Sequence, residues 1–270
     1  MARKKRTLAM PIYTKATLIE KLREIRAMGW VKTGRPGNDG GVGNTLEDLL
    51  GIPENNFAVS NTNEWELKSQ RSDTASLVTM FHLDPSPRKA RLVAGMLLTQ
   101  YGWPHQDPRY VWSFRATISG PQRTDRGFAM LIDRPERKIS LSFQSSIADP
   151  RHSGWLKSVE RRIGLGELQP QPYWGFDDLY HKAQVKISNV VFVTAKRERR
   201  EGEEFFLYDK VALLSGFNFD RFVNALESGE VKVDFDVRTG KNHGVKFRTT
   251  KARFPTLYNQ VIDLDAPALH

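Results

Sequence analysis

The chain contains no cysteine. This excludes a disulfide framework, a thiolate metal site and a catalytic thiol, and it suits a cytoplasmic protein. Long hydrophobic runs are absent too. Runs such as Val190 to Val193 are far too short to cross a bilayer. The basic start Arg3-Lys4-Lys5-Arg6 is followed only by Leu8-Ala9-Met10 before Pro11, so the apolar core of a secretory signal is missing. A soluble, cytoplasmic protein without membrane contact is expected, with residues 1–10 as a basic solvated tail. Internal repeats and low-complexity linkers are also missing, which points to a single domain over 1–270. The segment Thr33 to Gly43 carries five glycines, but no Gly-Lys-Ser/Thr follows them. It reads as a flexible loop and not as a phosphate-binding P-loop.

What is present is positive charge. Lysine and arginine number 41 against 31 acids, a formal net charge of +10, in a chain of 270 residues that is 39% hydrophobic. Such a chain buries a real core, and the basic excess favours a polyanionic partner, most commonly nucleic acid. No aromatic RNP pattern and no GxxG loop in a KH context occur, which argues against an RNA-binding module.

Hydrophobic spacing predicts helices over Thr17–Met28 (Thr17 as N-cap, Gly29 as C-cap), Val42–Leu50, Leu207–Leu214 and Arg221–Ser228. Strands are predicted at Phe57–Val59, Trp65–Lys68, Ser76–His82, Val111–Ile118, Phe128–Ile132, Lys138–Phe143, Val185–Ala195 and Val231–Val237. Lys196–Glu204 reads as a solvated turn, and Trp103, Trp112, Trp155 and Trp174 as core. The order of elements gives an α/β (mixed α+β) fold class.

One segment carries chemistry: Asn61-Thr62-Asn63-Glu64-Trp65-Glu66-Leu67-Lys68. Glu66 and Lys68 stand two apart on a predicted strand and share a face, while Leu67 points into the core. A carboxylate beside an ammonium can bind Mg²⁺ and orient an attacking water, as phosphodiester hydrolysis requires. A bare Glu-x-Lys is common and by itself reads as a surface ion pair. A third acid, Glu47, on the preceding helix and a turn just before Trp65 strengthen the catalytic reading.

The residues Gly41-Val42-Gly43, Leu46-Glu47, Gly51-Ile52-Pro53-Glu54-Asn55-Asn56, Glu64-Trp65-Glu66-Leu67-Lys68 and Leu77…Phe81-His82 together resemble the MvaI/BcnI family of type II restriction endonucleases. That family is part of the PD-(D/E)XK nucleases and is similar to the nickase MutH. The resemblance runs over roughly residues 15 to 260. It implies a PD-(D/E)XK core with a mixed sheet flanked by helices, and two lobes around a DNA-binding cleft. The catalytic lobe would take about 15–110 and part of the middle, and the recognition lobe about 170–260.

It also implies roles. Glu66 would bind metal, Lys68 would be the catalytic lysine, the Leu67 carbonyl a backbone ligand, and Glu47 a supporting acid. The implied cofactor is Mg²⁺, with Mn²⁺ or Ca²⁺ able to substitute for binding. The implied partner is double-stranded DNA, bound by a monomer in a bacterial or archaeal cytoplasm. A methyltransferase of the same system would act on the same site without a stable complex. The family's first metal-binding Asp lies five residues before the Glu, and here that position is Asn61. An Asn offers a neutral oxygen but no charge. Three accounts stand: an inactivated variant, a homologue that has lost activity, or Glu64 or Asp73 replacing the missing acid.

For reading DNA, His82 matches a histidine that the family directs at its recognition site, although alone it reads as a core His. Asp236, Arg238, Lys241, His243, Lys246 and Arg248 form a mixed set, with Lys241 to Gly244 as a loop able to enter a groove. Arg and Lys donate to guanine O6 and N7, and Asp accepts from cytosine N4. The family implies a CCNGG-like site. A strand-specific nickase, or a catalytically silent DNA-binding protein, is the alternative reading.

Overall fold

The computed structural model describes residues 13–37, 40–52 and 65–264. The basic tail, the predicted strand at 57–59, Asn61 and Glu64 lie outside the described residues. In chain order the elements are α1 (Lys15–Ala27), β1 (Val31–Lys32), α2 (Gly41–Leu49), β2 (Glu66–Arg71), β3 (Val78–His82), α3 (Leu98–Tyr101, continuing a π-helical turn Val93–Leu97), β4 (Trp103–Pro104), β5 (Trp112–Ser119), β6 (Phe128–Asp133), β7 (Lys138–Phe143), α4 (Ser153–Ile163), β8 (Tyr173–Gly175), α5 (Phe176–Ile187), β9 (Asn189–Arg200), β10 (Glu203–Phe217), α6 (Phe219–Glu227), β11 (Val231–Arg238), β12 (Lys241–Thr249) and β13 (Tyr258–Asp263). No described helix is long and apolar enough to cross a membrane.

The chain forms two compact units. The first takes residues 1–75, 185–217 and 258–270, and the second 76–184 and 218–257. These bounds differ from the lobes expected from sequence, because 76–110 falls in the second unit and 185–217 in the first.

The first unit is a five-stranded mixed sheet in the order β1-β10-β9-β2, with β13 also paired to β10. Only β2 and β9 run parallel, in the register Glu66 to Val190 and Lys68 to Phe192. Helices α1 and α2 cover one face: Leu18, Leu22, Ile25 and Leu46 pack with Leu67, Val191, Val193, Phe206 and Leu213. The α1 N-cap is Thr14, not Thr17. The Thr17 N–H donates to the Thr14 hydroxyl and the Thr14 N–H to the Thr17 hydroxyl, so a threonine at the third helical position completes a capping box.

The second unit has an antiparallel sheet in the order β3-β12-β11-β5-β4, and a separate three-stranded sheet in the order β6-β7-β8. Its core is aromatic, with Phe81 stacked on Phe247 at 5.0 Å and Phe114 edge-on to Phe128 at 5.1 Å. Trp155 and Trp174 are buried here as expected. Trp103 and Trp112 are half-buried, and each lies under an arginine, Arg126 and Arg162 respectively.

Several expectations are corrected. Leu207–Leu214 is not a helix but part of β10. Its Leu207, Val211 and Leu214 sit at helical spacing, yet a register shift between Tyr208 and Lys210 breaks the period of two. That bulge puts Phe206, Tyr208, Val211 and Leu213 together on the core face, a pattern that mimics a helix in sequence. Lys196–Glu204 is not a solvated turn but the end of a β9–β10 hairpin. The turn proper is Glu201-Gly202, both at positive φ (52° and 82°), which matches the twist of the flanking strands. The charged strand ends hide their alternation because even the residue buried there, Glu204, is charged. Val185–Ala195 divides into the last turn of α5 and the start of β9. Lys241–Gly244 is strand, not loop, because the β11–β12 turn is made by Thr239-Gly240.

Candidate functional site

Strand β2 lies at the sheet edge. Its alternation sends Leu67 towards α1 and α2, and Glu66 and Lys68 to the opposite face. The Lys68 Nζ donates to Glu66 Oε1 at 2.9 Å. Glu66 is 6% exposed, and its Oε2 is buried with no hydrogen bond among the described residues. An ionised oxygen in that state is costly unless something positive meets it. Nearby, Tyr258 is buried and its hydroxyl donates to the Ile187 carbonyl at 3.0 Å. Burial, and then the charge of Glu66, push this phenol well above its ordinary value.

Glu47 is half-buried on α2. It sits one turn beyond Gly43, where an added Cβ would meet Ser69 Oγ of β2 at 3.2 Å. The structure therefore places Glu47 on the helix beside β2, while Ser69 and Lys68 leave opposite faces of that strand. Asp73 is engaged by arginines in this structure. It faces Arg71 at 3.8 Å and Arg197 at 3.6 Å. Among the described residues, no group of three or more His, Asp or Glu side chains is gathered for a metal. Position 61 is outside that set. The donor chemistry of Glu66, a buried carboxylate oxygen awaiting a partner, fits a hard oxygen-seeking cation.

The second unit holds a different assembly. On β11, Val231, Val233, Phe235 and Val237 are buried, and Lys232, Asp234, Asp236 and Arg238 share the other face. The neighbours in register on that face are Arg115 and Thr117 of β5, and Lys246 and Arg248 of β12. Arg115 Nε donates to Asp236 Oδ1 at 3.0 Å and Lys246 Nζ to its Oδ2 at 2.8 Å. Thr117 donates to Asp234 Oδ1 at 2.8 Å and Arg248 to its Oδ2 at 3.0 Å. These side chains line a depression of about 350 Å³. Burial pushes the Asp236 carboxyl up, but the Lys246 hydrogen bond and charge, with Arg115 and His243, outweigh it and hold the group below its ordinary range.

His82 is exposed at the end of β3, directly opposite Lys246, and so belongs to the same face. It is not a core histidine. Arg238 reaches the far end of this face, stacked 4.0 Å from the Tyr110 ring. Lys241 and His243 are exposed at the start of β12.

The sequence matches the MvaI/BcnI restriction endonuclease family over residues 19–258. The chain belongs to this family. Similar solved structures include the restriction endonuclease MvaI in complex with its cognate DNA substrate, at 22% identity and TM-score 0.76, covering 93% of this chain and 99% of that one. MvaI in the absence of DNA is also similar, at 22% identity and TM-score 0.52, covering 94% and 99%. A comparison with curated proteins found no match. At this identity the likeness to MvaI establishes the fold.

The MvaI/BcnI match spans both assemblies, and the mixed α+β fold agrees with it. Of the residues singled out in the sequence, Glu66 and Lys68 are paired on β2, and His82, Asp236, Lys246 and Arg248 fall on one sheet face. Arg115, Thr117 and Asp234, which share that face, were not singled out. The available signal was the alternation of β5, where Phe114 and Ile118 are buried and Arg115 and Thr117 are exposed.

Proposed function

We propose that this chain is a type II restriction endonuclease that binds double-stranded DNA at a short, G·C-rich, CCNGG-like site, with Mg²⁺ as cofactor, and that with Asn61 it holds its site without efficient cutting. The single observation that carries the nuclease reading is the Glu66–Lys68 pair, with one carboxylate oxygen bonded to the lysine and the other buried and unmatched among the described residues. Glu66 Oε2, the Leu67 carbonyl and the Asn61 side-chain oxygen would hold the metal. Bound Mg²⁺ supplies positive charge against the charge growing on the phosphoryl oxygens and acidifies a bound water. Lys68 orients the attacking water and opposes the same charge, and Glu66 fixes the lysine. Glu47 supports the site from α2. The chain acts as a monomer, and Mn²⁺ or Ca²⁺ would support binding.

Recognition belongs to the second unit. Lys246 and Arg248 present donors suited to guanine O6 and N7, and Asp234 and Asp236 present acceptors suited to cytosine N4. The free protein already pairs these groups with each other, so their rotamers are set before DNA arrives.

Asn61 decides the rate. Loss of one charged ligand costs several kcal/mol in the barrier, and each ~1.4 kcal/mol is about tenfold. Unmethylated phage DNA incubated with Mg²⁺ and either the parent or Asn61→Asp tests this. The expected result is discrete fragments from Asn61→Asp, at a rate orders of magnitude above the parent. Equal rates would remove position 61 from the site. Nicked circles that never become linear would indicate a strand-specific nickase instead.

A further inference from the structure

Between β3 and the helical turn at Val93 runs Pro85-Ser86-Pro87-Arg88-Lys89-Ala90-Arg91. It places three cations within four residues, all of them exposed. Arg88 faces Asp178 at 3.3 Å, and both side chains are more than half exposed, so this pair is weak. The Lys89 and Arg91 side chains have no hydrogen bond or ion pair among the described residues.

The segment is nevertheless held firmly. The Leu83 N–H donates to the Val245 carbonyl at 3.0 Å, and the Val245 N–H donates to Asp84 Oδ1 at 3.2 Å. Ser86 and Tyr173 exchange backbone hydrogen bonds at 2.7 and 3.1 Å. Leu92 and Val93 are buried. Arg91 itself is left-handed, at φ 46° and ψ 45°. Such backbone favours glycine, and an arginine kept there is a reason to look for a role.

This segment and the start of β12 enclose a cavity of about 290 Å³, whose polar lining is Asp84, Arg88, Arg91 and Asn242. One Asp84 oxygen is engaged by Val245. Asn242 Oδ1 accepts from the Gly244 N–H at 2.9 Å, which leaves its amide donors for a ligand. The cavity therefore offers two guanidinium groups and an amide against the second Asp84 oxygen, with the exposed Asp178 contact on Arg88 open to exchange, and these donors suit an anion with several acceptor oxygens. Its position is also fixed, because Leu83 and Asp84 follow His82 directly and are bonded to Val245, beside Lys246.

We propose that this cavity takes a backbone phosphate of the DNA, next to the bases met by the β11–β12 face, and that Arg88 and Arg91 are its principal donors. The identity of the partner rests on the DNA-binding reading above, while the anion chemistry rests on the cavity itself.

The test is binding of the full chain to duplexes with and without a CCNGG-like site, measured by fluorescence anisotropy from about 50 to about 200 mM salt. Arg88→Gln and Arg91→Asn are made singly and together, because Asn tolerates left-handed backbone. The plot of log affinity against log salt should become shallower by about one unit for each arginine withdrawn from the phosphate, with equal weakening on both duplexes. Arg91→Lys should restore the slope. An unchanged slope in the double variant, or a weakening confined to one duplex, overturns the proposal. A parent that prefers neither duplex while the slope still falls would sink the sequence-specific reading and leave the phosphate site standing. A parent that discriminates while the slope stays fixed would sink the phosphate site alone.

Discussion

Two carboxylate sites in this protein are built in opposite ways. On β2, Glu66 has one oxygen bonded to Lys68 and the other buried without a hydrogen bond among the described residues. On β11, all four oxygens of Asp234 and Asp236 are taken, each Asp between one donor from β5 and one from β12. A group left unmatched in the interior costs about 1–3 kcal/mol and gains from whatever cation completes it. Carboxylates whose oxygens are all matched cost little and are held in place for a ligand that can exchange the same hydrogen bonds, and in this lattice the group left over is a donor, the buried Arg248 Nε. The first arrangement suits a metal centre, and the second suits a surface that reads base edges.

The largest expected effect comes from breaking the unmatched site. In an Asn61→Asp background, Glu66→Gln should lower Mg²⁺-dependent cleavage by about 10³-fold or more, the equivalent of about 4 kcal/mol. The same change also breaks the Lys68 ion pair, so the second readout is the response to metal: added Mg²⁺ should raise the melting temperature of the Asn61→Asp protein and not that of the double variant. An equal rise in both would take Glu66 out of the metal site.

The matched site should behave in reverse. Asp236→Ala leaves Arg115 and Lys246 without their shared partner. It should reduce discrimination between a cognate duplex and a single G·C mismatch by about 1–3 kcal/mol, read from competition binding. It should also lower stability. Unaltered discrimination would take Asp236 out of the reading face.

The smallest effect concerns pH. The Asp236 carboxyl is held below its ordinary value, so the folded state favours its charged form. Its contribution is complete above the unfolded value of about 4 and fades as pH falls through the lower folded value. The melting advantage of the parent over Asp236→Asn should be constant from neutral pH down to about 4 and shrink below that. An advantage that grows on acidification would reverse the assignment.

Much of both sites was legible before the fold was known. Glu66-Leu67-Lys68 announces itself, because a strand with a period of two must separate Leu67 from its neighbours. Val231 to Val237 alternates cleanly, and β11 follows it. What was hidden has physical causes. The β10 bulge at Asp209 gave a strand the spacing of a helix. The charged hairpin around Glu201-Gly202 shows no hydrophobic alternation, because even its buried residue, Glu204, is charged. Arg115 and Thr117 were passed over because nothing in β5 alone says which strand lies beside it.

By itself, then, the sequence carried the motifs whose resemblance points to the family, and local periodicity and residue type determined the side-chain chemistry of β2 and β11 and the faces on which their residues fall. Only the tertiary structure decided which strands are neighbours. Asp236 lies more than a hundred residues from Arg115, and its place between Arg115 and Lys246 is set by sheet order and register. Backbone hydrogen bonding fixes these, and they become visible only when the strands are assembled.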